Sequence, residues 1–211
     1  MADGLESSGR YAVVHRLSRS RTGLDVADEA AVSSAADRVA LGPAPTLVLV
    51  ATGVLHEGED PERSYRMVTA EHLLRDYRVN TVGPALVARH FLPLLPRDRR
   101  AIFAALSARV GSISDNRLGG WHSYRASKAA LNMILRNLAI ELARSHPQAI
   151  VAGLHPGTVR TGLSQPFQRG VPAEKLFTPE YSAERLVSVL DGLAPADSGG
   201  VFAWDGTLIP S

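Results

Sequence analysis

The chain contains no cysteine among its 211 residues. A disulfide framework and a thiolate metal site are therefore excluded, and a reducing, cytoplasmic setting is the expectation. Other metal ligands are no better organised. The seven histidines are scattered, with no His-x-x-x-His pair on a helical stretch, so no metal is expected. Long apolar runs are also missing: none approaches the ~20 residues that a membrane span requires, and no basic segment followed by an apolar core opens the chain as in a signal peptide. A soluble chain without a membrane partner follows. Charge of one sign is scarce too. There are 23 basic and 21 acidic residues, a net +2, and arginines gather only in HRLSRSR (15–21) and RDRR (97–100). Nucleic-acid binding needs a concentrated basic face with readout elements, so no nucleic-acid partner is expected.

What the chain has is apolar content, 45% of its residues, enough for the core of one domain over residues 1–211. Apolar runs without polar alternation stand at TLVLVA (46–51), AIFAAL (101–106), AIVAGL (149–154) and GVFAW (200–204). Strands covered on both faces read this way. Between them lie helical stretches: DEAAVSSAADRVAL (28–41), a long segment from about Ser64 to Leu95, 123–144 and 182–193. The alternation predicts an α/β fold, a doubly wound parallel sheet with helices on both faces, whose ligands bind at the carboxyl ends of the strands. The Gly- and Pro-containing stretch from Thr161 to Thr178 reads as a mobile loop able to act as a substrate lid.

The sharpest local signal is SYRASK (123–128), which puts Tyr124 and Lys128 on one helix face, a turn apart. A phenol titrates near pH 10 unless its surroundings change, so acid–base work near neutrality needs a cation that favours the phenolate, and a lysine one turn away supplies it. Taken alone, such a pair is most often a surface pairing. Here the helix that follows is apolar on nearly every side, and the pair sits at its start, just after a strand and a serine-bearing loop.

On these residues the sequence resembles the short-chain dehydrogenase/reductase family over almost its whole length. Tyr124 and Lys128 match that family's Tyr-x-x-x-Lys motif. RDYRVNTVGP (75–84) matches its Asn-bearing helix, with Asn80 as the asparagine whose backbone holds a relay water, and LHPGTVRTGL (154–163) matches its Pro-Gly segment. The wording of residues 111–134 and 154–163 is most similar to the C-factor and sniffer branch of small carbonyl reductases and signalling homologues. The resemblance implies a Rossmann-like fold and NADPH-linked reduction of a small carbonyl compound, or the reverse oxidation of an alcohol, with Tyr124 as proton donor. Lys128 would lower the tyrosine pKa and hold the nicotinamide ribose, and Asn80 would complete a proton relay. Pro156, Gly157, Val159 and Thr161 are carried over as cofactor contacts, as are Ala51, Thr52 and Gly53 beside the adenosine ribose and Asp25 and Val26 beside the adenine. Two apolar helices resembling the family's association pair imply a homodimer or homotetramer.

Three departures qualify that match. The serine expected before the tyrosine falls on Gly111 by spacing and on Ala108 by strand alignment, which leaves Ser107 and Ser112 as open alternatives for polarising the substrate. VATG (50–53) stands where most of the family has Asn-Asn-Ala-Gly. No Gly-x-x-x-Gly-x-Gly occurs anywhere in the chain, although in the family that turn follows the first strand and cradles the cofactor pyrophosphate. The opening GLESSGRYAVVHRLSRS matches instead the end of the first helix and the second strand, so the first strand and glycine-rich loop are expected to be missing from the chain as it stands. The tip of that second strand, Ser18-Arg19-Ser20-Arg21, has no acid to bond a ribose hydroxyl. Its charge favours NADP over NAD. The missing turn keeps a second function in play, a cofactor-free relative that binds or signals.

Overall fold

The four apolar runs become the strands of one parallel sheet in a computed structural model that describes residues 1–55 and 60–211. In chain order the strands are β1 (Leu47–Val50), β2 (Ala101–Leu106), β3 (Ala149–His155), the two-residue β4 (Thr158–Val159) and β5 (Leu176–Phe177), and β6 (Val201–Ala203). The main sheet runs β1-β2-β3-β6, while β4 and β5 pair only with each other. Register is set by pairs such as Leu47 with Ile102, Phe103 with Val151, and Leu154 with Phe202.

The α-helices among the described residues are α1 (Ala2–Ser7), α2 (Arg19–Thr22), α3 (Glu29–Ala40), α4 (Ala70–Tyr77), α5 (Gly83–Phe91), α6 (His122–Leu142) and α7 (Pro179–Gly192). Alternate strand residues face opposite layers, which explains why the strands show no polar alternation. Phe103, Ala105 and Val151 join Val32, Val87, Leu131 and Leu135 from α3, α5 and α6 in one core. Ile102, Ala104, Ile150 and Leu154 join Leu186, Val189 and Leu190 of α7 in the other. Three helix starts carry side-chain caps: Asp28 accepts from the Ala30 and Ala31 amides, Thr69 from that of His72, and Thr178 from that of Tyr181. The buried side of α6 carries Tyr124, Lys128, Leu131, Leu135 and Ala139, while Met133 and Ile140 stand exposed on its other side, so the helix is less thoroughly covered than its composition predicts.

The amino-terminal stretch departs from expectation. Residues 11–17 form no strand, nor do 23–28, and the Ser18–Arg21 tip is instead the short helix α2, capped by the Ser18 hydroxyl and closed by Gly23 at φ +70°. The reason is pairing. A strand exists through a neighbour that satisfies its backbone, and among the described residues β1, at one edge of the sheet, is bonded only to β2. The stretch is held by side chains: Leu17, Leu24 and Val26 pack on the first core, and Arg16 bridges to Asp3 and Glu6. Two further differences matter for the site. The long helix expected over 64–95 is interrupted by a π-turn at Arg78–Val82. The stretch from Thr161 to Thr178 is folded into two 3-10 turns, Gln165–Gly170 and Ala173–Lys175, and ends in β5.

Candidate active site

The carboxyl ends of β1, β2 and β3 open on the same edge of the sheet, and the residues that follow them meet the start of α6 there. Asn80 lies in the π-turn, a helix bulge that often marks a functional position. Its buried side chain is fully engaged: Oδ1 accepts the Val54 amide at 2.9 Å, and Nδ2 donates to the Val54 carbonyl at 2.8 Å and to Ser127 Oγ at 3.1 Å. The asparagine thus ties the turn after β1 to α6. Thr81 reinforces the tie by donating to the Ser127 carbonyl at 2.8 Å. Gly53 completes the approach, since a Cβ there would lie 3.4 Å from Asn80 Oδ1 and 3.7 Å from Lys128 Nζ.

Tyr124 is 8% exposed and packs with Leu55 and Ala108, with Val110 and Trp121 at the edge of the cluster. Lys128 is 3% exposed. Its ammonium donates to the Leu106 carbonyl at 2.7 Å and stands 5.8 Å from the Tyr124 ring centroid. Burial sets the electrostatics of the pair. It pushes the Tyr124 phenol well above its ordinary value, assisted by the buried Asp76 carboxylate, and pushes the Lys128 ammonium down to about 8 against the opposing pull of Asp76. The depressed tyrosine pKa that the resemblance implies is therefore not seen with the lysine turned to Leu106: loss of solvent dominates the phenol.

Ser107 and Ser112, the two alternatives for polarising the substrate, are both buried. Ser107 donates to Asn132 Oδ1 of α6 at 2.6 Å, and Ser112 Oγ accepts the Asp115 amide at 3.1 Å within its own loop. The residue packed against Tyr124 is Ala108. Gly111, where spacing alone placed the serine, has another task. A Cβ there would come within 2.8 Å of the Lys128 backbone, so only glycine allows the loop after β2 to rest on α6.

A cleft of 480 Å³ runs beside this cluster, lined by Leu17, Ser18, Arg19, Leu24, Val26, Ala51, Thr52, Gly53, Val54, Val79, Gly162 and Leu163. Six of the predicted cofactor residues meet in it. Asp25 lies in an adjoining cleft with Arg19, Arg75 and Arg78, where it accepts the Ala27 amide at 2.9 Å and pairs with Arg19 at 3.3 Å. Pro156, Gly157, Val159 and Thr161 border the end of β3 outside the lining of the larger cleft. The Pro156 carbonyl accepts from Ser182 at 2.8 Å. Gly157, at φ +75°, lies so close to Phe177 that a Cβ would clash at 2.6 Å. Thr161 donates to the Val159 carbonyl at 3.4 Å. Sequence reading missed Val54 and Val79, each next to a residue it did identify. It also missed His155, whose buried Nδ1 has no partner among the described residues and whose imidazole burial pushes down to about 4. The only signal for these was adjacency to a motif.

A profile described as enoyl-(acyl carrier protein) reductase matches residues 8–192. The chain belongs to the short-chain dehydrogenase/reductase family. Among curated relatives of this chain, 1-hydroxy-2-glutathionyl-2-methyl-3-butene dehydrogenase of Rhodococcus sp. (strain AD45) is 33% identical over 189 residues, 89% of this chain and 78% of that one. The C-signal protein of Myxococcus xanthus is 36% identical over 139 residues, 65% of this chain and 78% of that one, in keeping with the C-factor branch. A solved structure of NADPH-bound carbonyl reductase from chicken fatty liver superposes with a TM-score of 0.76 at 27% identity, covering 99% of this chain and 81% of that one. The Rossmann-like architecture and membership among NAD(P)-dependent oxidoreductases follow.

Proposed function

We propose that this short-chain reductase uses NADP to reduce a small carbonyl compound, or to oxidise the corresponding alcohol, with Tyr124 as the acid–base group. The observation that carries the reading is the buried Tyr124–Lys128 pair, set one helical turn apart beside the Asn80 bulge at the carboxyl ends of the strands. The residues present fit a dinucleotide at both ends. Val26 and Ala51–Gly53 line a cleft of adenosine size that reaches Ser18 and Arg19, and Gly157 holds a left-handed turn at the nicotinamide end.

A nicotinamide bound there would supply hydride to the carbonyl carbon. Tyr124 gives its phenolic proton to the carbonyl oxygen as the new C–H bond forms, and the product leaves as the alcohol. A phenol held protonated by burial suits that direction. Lys128 would hold the nicotinamide ribose and supply the charge that stabilises the phenolate left behind, and Asn80 would hold, through its backbone, the water by which a proton returns to the site. Arg19, 75% exposed at its side chain, would take the 2′-phosphate with Ser18, and the NADPH of the chicken relative supports that choice over NAD. Exposed Leu74, Met133 and Ile140 on α4 and α6 support a homodimer or homotetramer.

A second reading, a cofactor-free binding or signalling protein, is favoured by one observation: the glycines lining the larger cleft are Gly53 and Gly162, and no glycine-rich turn faces it among the described residues. Calorimetric titration separates the two. NADPH is expected to bind more tightly than NADH and to be oxidised when a small aldehyde or ketone is added, whereas no binding at millimolar NADPH overturns the enzyme reading. Tyr124→Phe should cut turnover by ~10²–10⁴-fold, the usual worth of general acid catalysis, with the NADPH Kd unchanged. Retained turnover refutes the assignment of Tyr124.

A further inference from the structure

The start of α6 is built against the odds. Its first residues follow three consecutive left-handed positions, Gly119 (φ +62°), Gly120 (φ +67°) and Trp121 (φ +50°), and Trp121 is the one non-glycine residue of the described chain with positive φ. A bulky residue keeps such a conformation only where its surroundings over-determine it, and that kind of strain gathers at active sites. The helix also lacks a cap of its own, because Trp121 occupies the N-cap and offers no side-chain acceptor.

Both needs are met by one residue from the connection between β1 and α4. Glu62 is 2% exposed. Its carbonyl accepts the Trp121 amide at 2.5 Å, which pins the left-handed residue. Its carboxylate accepts the Ser123 amide at 3.3 Å through Oε2 and the Ser123 hydroxyl through Oε1. That supplies the missing cap in trans and puts a negative charge at the positive end of the helix. His72 Nδ1 lies 3.9 Å from the same Oε1. Burial alone would raise the Glu62 carboxyl, but the bonds from Ser123 and the backbone outweigh it and hold the group below its ordinary value, in the ionised form that accepts best. Glu62 is no part of the Tyr-Lys-Asn set and touches neither cleft lining, yet it grips the residue immediately before Tyr124.

We propose that Glu62 is a positioning residue for Tyr124, a clamp that holds the strained first turn of α6 so that the phenol sits where a substrate oxygen can meet it. The proposal rests on the reading of Tyr124 as the acid. The test compares Glu62→Ala, Glu62→Gln and Ser123→Ala. Removing the clamp leaves the cofactor cleft untouched, so Glu62→Ala should lower kcat by ~10²-fold, the cost of about an ångström of misplacement, with the KM for NADPH unchanged. Glu62→Gln keeps an acceptor and a donor at the same place and should restore most of kcat, with Ser123→Ala in between. Hydrogen exchange supplies a readout that needs no turnover: the Ser123 and Tyr124 amides should exchange faster in Glu62→Ala, while the amides of β2 and β3 do not change.

A native kcat with native exchange in Glu62→Ala overturns the clamp. So does a fall in kcat that Glu62→Gln fails to restore and that comes with an equal weakening of NADPH binding, the mark of general destabilisation. If the native protein shows no NADPH-linked reduction at all, the functional reading fails, and exchange at Ser123 and Tyr124 still decides the clamp by itself.

Discussion

Residues 11–28 and residues 101–155 carry comparable apolar content but meet different fates. The second stretch forms two buried parallel strands with α6 between them, while the first, with AVVHRL as apolar as many strands, stays irregular around a four-residue helix. The contrast teaches that a strand is a property of a pair. β2 has β1 on one side and β3 on the other, so every backbone group along it finds a partner. Residues 11–17 lie in no sheet, and side-chain packing by Leu17, Leu24 and Val26 replaces the ladder.

The widest gap between the two regions should show in the energetics of single side chains. Leu154 is fully buried in β3 against Leu186 and Leu190 of α7, so Leu154→Ala should cost about 2–5 kcal/mol through lost burial and an unfilled cavity, measured by urea unfolding. A cost below 1 kcal/mol would mean that the sheet is no better anchored there than the amino-terminal stretch. The next effect is one of pH. Burial, with some help from Arg109 and against Asp205, pushes His155 at the end of β3 down to about 4 from an ordinary 6.5. Between pH 6.5 and 4 the unfolded chain binds a proton that the folded chain refuses, so stability falls as pH drops through that window and is fully retained above it. His155→Gln should flatten the slope of unfolding free energy over that range, and an unchanged slope would show that the imidazole is solvated. The smallest effect is expected in the first region: Val13, 53% exposed in the irregular stretch, should tolerate Val13→Ala within about 0.5 kcal/mol. A larger loss would reveal pairing that residues 11–17 do not show.

What was legible in the sequence follows the same division. TLVLVA, AIFAAL, AIVAGL and GVFAW announced themselves as strands because both faces of a parallel sheet are covered, and the helical stretches between them completed the alternation. Tyr124 and Lys128 were legible through their spacing and Asn80 through the family resemblance, and the three lie together at the strand ends. The serines were not, because Ser107, Ala108 and Ser112 differ only in where each side chain points, and that is fixed by contacts with Asn132, Tyr124 and Asp115. The π-turn at Asn80 was hidden too: it lies between α4 and α5 within one continuous helical pattern. Glu62 carried no signal either, since its partners are 59 to 61 residues away.

The contact of Gly111 with the Lys128 backbone sets how high the lysine rides above the sheet. Main chain rests directly on main chain there, with no side chain between them to change rotamer. Thermal hopping that blurs an ordinary helix–sheet spacing has nothing to act on at this point. The spacing of the Lys128 backbone from the loop after β2 is therefore fixed by covalent geometry as much as by packing, and it should vary little with temperature even where the surrounding core loosens.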